Sequence, residues 1–162
     1  ISKTKNNQGI LSTHLHTQGK YAKELWVEAP SSKVKPRLTP KILEARKQFL
    51  HMNGKEVFKH AVNRFPEVIH EALNHNNLSI QDINLLIPHQ ANVRISKMVQ
   101  KKLGLKDNQV VSNIHKYGNT TSASIPIALC ETMIKKKLKR GDILILAAFG
   151  SGFSWGSAIL KW

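Results

Sequence analysis

The sequence predicts an α/β fold, a mixed β-sheet with helices on its faces. Two observations lead there. By hydrophobic pattern the later part of the chain runs strand, helix, strand, helix, strand, strand, an order that implies helices packed on a mixed sheet. The chain has 162 residues, 41% of them hydrophobic and 22% charged, which suffices for a real core in one domain or in one half of a larger one.

Taken in order, residues 10–15 and 21–27 read as two strands around a turn at Gln18-Gly19. Residues 29–40 hold three prolines and two serines and read as a loop, and residues 41–48 as a short helix. From Gly54 to Asn76, Val57, Phe58, Ala61, Val62, Phe65, Ile69 and Leu73 fall near helical spacing, with Pro66 expected to kink the helix or end it. Residues 83–87 suit a buried strand. Residues 92–103 form an amphipathic helix with Ile95, Met98, Val99 and Leu103 on one side, and residues 109–111 a further short strand. Residues 120–137 read as a helix whose first half is small or apolar on most faces, implying deep burial. Two strands, 143–149 and 154–160, close the chain around Gly150-Ser151-Gly152.

Lys and Arg number 25 against 10 Asp and Glu, a formal net charge of +15. That charge attracts something acidic: nucleic acid, anionic lipid or an acidic protein. The sole cysteine, Cys130, cannot form an internal disulfide, which fits a reducing cytoplasm. The longest apolar run, Ile143 to Phe149, is too short to cross a bilayer. Ile1 to Lys5 lack the apolar stretch of a secretion signal and an initiating Met, which reads as a fragment or a processed product.

Three stretches carry candidate chemistry. "LLIPHQANVRI" (85–95) delivers His89 to the carboxyl edge of a strand, where ligands of such sheets gather. An imidazole there can donate or accept near neutral pH, though a lone histidine also suits a turn tied to backbone. "NIHKYGNTTSAS" (113–124) sets Asn119 after Gly118, either capping the following helix or pointing into a site. "AAFGSGFSWGSA" (147–158) is either a plain hairpin or a turn whose backbone N–H groups face an oxyanion. It is not a phosphate loop, since no Gly-Lys-Ser/Thr follows.

"IPHQANVRI", "YGNTTSASIPIAL" and "FGSGFSWGSA", with "GILSTHLHTQGKY" and "MNGKEVFKHAV" before them, closely resemble the C-terminal half of β-ketoacyl-acyl-carrier-protein synthase III. The likeness covers nearly the whole chain. It implies a thiolase-like fold of two similar halves in tandem, with residues 1–162 as the second half and residues 29–51 as a loop-rich excursion. The family joins an acyl-CoA primer to malonyl-acyl-carrier protein by decarboxylative Claisen condensation, which starts type II fatty acid synthesis. Both thioesters are substrates, so no cofactor and no metal are implied.

The resemblance makes His89 and Asn119 the two uncharged donors that hold the enolate oxygen left by decarboxylation. It assigns the backbone N–H of Ser151, where the family often has glycine, to the acyl oxyanion. Met52, Gly54 and Phe58 would line the acyl-pantetheine tunnel with Ala91 and Asn92. Gln90, Ala91, Asn92, Val93 and Arg94 would meet the acidic carrier protein, joined by Lys59 and by Lys97, Lys101 and Lys102 on the following helix. The partners implied are acyl carrier protein, acyl-CoA and the chain's own N-terminal half, in a homodimer of the complete enzyme, with no nucleic acid and no membrane.

The nucleophilic cysteine of the family lies in that N-terminal half, and Cys130, within a helix that looks buried, is expected to be structural. The chain alone is therefore expected to be inactive in condensation. His14 and His16 share one side of a strand, a conceivable metal pair without an evident third ligand. The basic run Lys135 to Arg140 suits a helix C-terminus. Two other readings remain, a related enzyme with a different acyl substrate and a basic nucleic-acid-binding module. The second lacks interleaved aromatics, at 6% in total, and any binding motif.

Overall fold

A computed structural model describes residues 8–162, so the reading of Ile1 to Lys5 lies outside the described residues. Strand β1 (Gly9–Thr17) leads through a 3-10 turn, Gly19–Glu24, into β2 (Leu25–Val27). Then come α1 (Pro40–Glu44), β3 (Leu50–Met52) and the long α2 (Gly54–His75). Next are β4 (Ile83–Pro88), α3 (Val93–Leu103) and α4 (Ile114–Tyr117). Helix α5 (Ser124–Ile134) and strands β5 (Ile143–Gly150) and β6 (Ser154–Lys161) complete the described chain.

The main sheet has the order β1-β6-β5-β4. Strand β4 runs parallel to β5, and the other pairs are antiparallel, so the sheet is mixed as predicted. Period-two alternation divides its side chains between two cores. Leu86, Ile145, Ala147, Phe149 and Ile159 face α2 and α3, whose stripes Phe65, Ile69, Leu73 and Ile95, Val99, Leu103 cover them. Leu85, Ile87 and Leu144 face the other way and meet Ala128 of α5. Each fully buried Leu, Ile or Phe contributes roughly 1.5–3 kcal/mol, so both layers are set by the strand pattern.

The two layers cover the sheet unequally. Beyond α5 the second face is open over β5, β6 and β1, where Leu15, Leu146, Ala148 and Ala158 border an apolar concavity of about 570 Å³. Leu15 is 82% exposed there.

Several elements differ from the expectation. The predicted pair 10–15 and 21–27 is not a hairpin: β1 pairs with β6, while β2 pairs with β3 in a separate ribbon that the sequence reading missed. Much of 21–27 is the 3-10 turn, whose Tyr21 stacks on Phe153 at 5.4 Å between centroids. Pro66 neither ends nor divides α2, because Phe65, Val68 and Ile69 on either side are seated in the core. Residues 109–111 give a single parallel bridge, Leu86 to Val110, after a 3-10 turn. The helix expected over 120–137 is shorter, and only Ser124, Ala128 and Thr132, a stripe of spacing four, are buried. Met133 and Ile134 are 48% and 75% exposed, because the sheet meets one face of α5 alone.

Candidate active site

The apolar residues of β4 are held against β5, and the ladder continues one step past the strand: the His89 N–H donates to Ala147 O at 2.8 Å. His89 is thereby fixed at the carboxyl edge. Its side chain is half-buried, with Nδ1 2.6 Å from the Ser124 hydroxyl at the start of α5. Burial pulls its pKa below the ordinary histidine value, so the ring is neutral at neutral pH.

Asn119 arrives from the other side of the same edge. Gly118 has φ +67° and ψ −158°, a conformation that L side chains avoid, and it turns the chain out of α4 toward Asn119. The Asn119 carboxamide oxygen accepts from the Thr121 N–H at 2.9 Å, an Asx turn that leaves the NH₂ as the outward-facing donor. Helix α4 is itself tied down by Glu131 of α5. That carboxylate accepts from the Tyr117 hydroxyl at 2.9 Å, from Lys116 at 3.2 Å and from the Asn113 amide at 3.4 Å. These donors draw the Glu131 pKa down to about 2, the Tyr117 bond foremost.

The turn after β5 supplies the third part. Phe149 and Phe153 pack at 4.9 Å between centroids, and the Gln18 N–H donates to Phe153 O at 2.8 Å, clamping Ser151 between them in sequence. Gly152 has φ +118°, and a Cβ there would lie 2.9 Å from Ser154 Oγ. A side chain at 152 is strained by this conformation and would displace the Ser154 hydroxyl, whereas Ser151 stands exposed.

Two adjoining cavities bring these groups together. One, of about 560 Å³, is bordered by Met52, Gly54, Phe58, Ala91, Asn92 and Arg94 as well as His89 and Asn119. The other, of about 510 Å³, is bordered by His89, Asn119, Ser124 and Ser151. Every residue expected in the tunnel or as a donor therefore lines one of the two. Leu25 and Leu50 of the β2–β3 ribbon border both, and no sequence signal had marked them.

The expected docking residues divide. Ala91, Asn92, Val93 and Arg94 are exposed at the cavity mouth, and Asn92 caps α3 by accepting from the Arg94 N–H at 2.8 Å. Lys97 and Lys101 continue along the exposed face of α3. Lys102 donates to Asn63 of α2 at 2.6 Å, and Lys59 lies 3.9 Å from Glu56. Gln90 is the exception to the expectation of a docking residue. It is 2% exposed, donates to Pro88 O at 2.7 Å and Val111 O at 3.2 Å, and accepts from the Asn113 N–H at 3.0 Å. Its side chain joins the two site segments from within.

Cys130, read from sequence as buried, is exposed on the outer side of α5 and lines neither cavity. His14 and His16 both turn toward α2, where Glu71 takes them: His16 Nε2 donates to its carboxylate at 2.6 Å, and His14 Nδ1 lies at 3.3 Å. The Glu71 pKa is lowered, the His16 hydrogen bond leading. No group of three or more metal-ligating side chains occurs among the described residues.

Known proteins match this chain over nearly its whole length. The family described as 3-oxoacyl-[acyl-carrier-protein (ACP)] synthase III C terminal matches residues 73–162. Beta-ketoacyl-[acyl-carrier-protein] synthase III of Rhodospirillum centenum is 44% identical over 96% of this chain and 45% of its own length. The Clostridium tetani protein of the same name is 42% identical over 97% of this chain and 48% of its own. The crystal structure of the Thermus thermophilus synthase III superposes on 100% of this chain and 49% of that one, with a TM-score of 0.88 and 36% identity. The chain thus spans about half the length of the curated relatives it matches.

Proposed function

The chain belongs to the 3-oxoacyl-[acyl-carrier-protein] synthase III C-terminal family, and from that premise we propose that it supplies the decarboxylation half of a condensing site. In this reading the N-terminal half present in the relatives carries the nucleophilic cysteine, which takes an acyl group from acyl-CoA. Malonyl-acyl-carrier protein then enters past Arg94 and Asn92. Its carbon–carboxylate bond breaks, CO₂ leaves, and the electron pair moves into an enolate whose oxygen accepts hydrogen bonds from His89 and the Asn119 NH₂. The carbanion attacks the acyl-enzyme carbonyl, the Ser151 N–H holds the resulting oxyanion, and the cysteine thiolate departs with the 3-oxoacyl product formed. The enzyme works in the cytoplasm on substrates of fatty acid synthesis and uses no cofactor.

One observation carries the reading. His89 and Asn119, thirty positions apart, border the same two cavities, and both side chains can donate a hydrogen bond without carrying charge. A neutral imidazole suits an enolate better than an imidazolium that would give up its proton, and its depressed pKa keeps it neutral. Each preorganised donor of this kind is typically worth about 3 kcal/mol. With an N-terminal half supplied, His89→Ala or Asn119→Ala is expected to slow malonyl decarboxylation about 10²- to 10³-fold while leaving acyl transfer to the cysteine intact. Unchanged malonyl turnover in either variant would overturn the proposal.

A further inference from the structure

We propose that Ser124 is a positioning residue that fixes the tautomer of His89, donating its hydroxyl proton to Nδ1 so that Nε2 carries the ring proton into the cavity. Its functional consequence rests on the decarboxylation reading above; the hydrogen-bond assignment itself does not.

Ser124 is 2% exposed, and its hydroxyl oxygen has two partners among the described residues. One is the Gln90 N–H at 3.3 Å, which can only donate, so the oxygen accepts there. The other is His89 Nδ1 at 2.6 Å. The hydroxyl proton needs an acceptor, and Nδ1 is the one within hydrogen-bond distance among the described residues. A serine deeper in a helix can send that proton to the carbonyl four residues back, as the Thr132 hydroxyl does to Ala128 O at 2.7 Å. Ser124 is the first residue of α5 and makes no such bond.

A neutral imidazole holds one proton, so an accepting Nδ1 places that proton on Nε2. The depressed pKa of His89 agrees with a neutral ring. The opposite tautomer would present the Nε2 lone pair to the cavity, where it repels an enolate oxygen. Ser124 acts through His89, and the Gln90 N–H orients it in turn.

The test is the ring of His89 in the 162-residue chain labelled with ¹⁵N-histidine. Long-range ¹H–¹⁵N correlations distinguish protonated from unprotonated ring nitrogens at a pH where the ring is neutral, with His89→Gln to assign the signals. A single Nε2–H tautomer is expected in the native chain, a mixture of tautomers in Ser124→Ala, and recovery of the Nε2–H form in Ser124→Thr. A native Nδ1–H ring, or an unaltered Nε2–H population in Ser124→Ala, overturns the proposal. The native spectrum decides even where Ser124→Ala does not fold. With an N-terminal half supplied, Ser124→Ala is expected to lower kcat for malonyl decarboxylation while KM holds. If His89→Ala leaves decarboxylation intact and the tautomer still follows Ser124, the functional reading fails and this one stands.

Discussion

A carboxylate that accepts from Tyr117, Lys116 and Asn113 holds a proton poorly, and Glu131 shows the consequence in its pKa of about 2. An unfolded glutamate titrates near 4.3, so the native state binds the proton less readily than the unfolded one. The stability contributed by this tie is therefore complete above about pH 4.5 and is lost as pH falls through about 2. Glu131→Gln cannot titrate. Thermal melts are expected to show the Tm of the native chain falling more steeply than that of the variant across this window. Parallel curves would mean that the bonds to α4 do not stabilise the fold. At this scale the sequence disclosed the groups that face outward, because Pro88 before His89 and Gly118 before Asn119 mark places where the backbone must turn. It concealed the groups that hold them. Ser124 meets His89 across 35 positions and Glu131 meets Tyr117 across 14, and neither pairing leaves a local pattern.

Among the elements, α3 carries a basic face beside the cavity. Arg94 borders the cavity, and Lys97 and Lys101 extend from it along the exposed side at positions three and seven further on. On the proposed function this row steers an acidic carrier protein to the mouth. Arg94→Glu is expected to weaken carrier-protein binding roughly tenfold at low ionic strength, the deficit shrinking as salt shortens the Debye length to about 3 Å at 1 M. Titration by calorimetry at several salt concentrations checks it, and equal affinities at low salt would count against the face. Helices α2 and α3 were legible from their helical spacing, and strands β4 and β5 from short apolar runs. The β2–β3 ribbon was not. Each strand is three residues long, Val27, Leu50 and Met52 are about half exposed or more, and the ribbon closes through Asn53, whose N–H donates to Glu24 O at 2.8 Å. Such a pairing is specified by tertiary contact rather than by alternation.

For the molecule as a whole, the uneven cover of the sheet is the governing fact. One face is closed by α2 and α3, and the other lies open beside α5 with Leu15 and Trp155 at its border. The sequence reading placed α5 deep in a core because its residues are small and apolar on most sides, as a helix needs when it is enclosed all round. Within this chain only one stripe is enclosed. The curated relatives that the chain matches are about twice as long, and on the proposed function their N-terminal half is what covers this face. Cys130 is exposed on α5 and lines neither cavity, and on the proposed function it takes up no acyl group. Intact-mass measurement after incubation with acetyl-CoA is expected to show the unmodified chain, and an added acetyl group on Cys130 would refute this.

The bonds that aim His89 and Asn119 run to Ser124, Thr121 and, through α4, Glu131, all within this one chain. On the proposed function, the His89–Asn119 pair is accordingly portable. Joined to N-terminal halves from different relatives, this half would carry the same malonyl chemistry into each hybrid, and differences among the hybrids in primer choice would trace to the half that was exchanged.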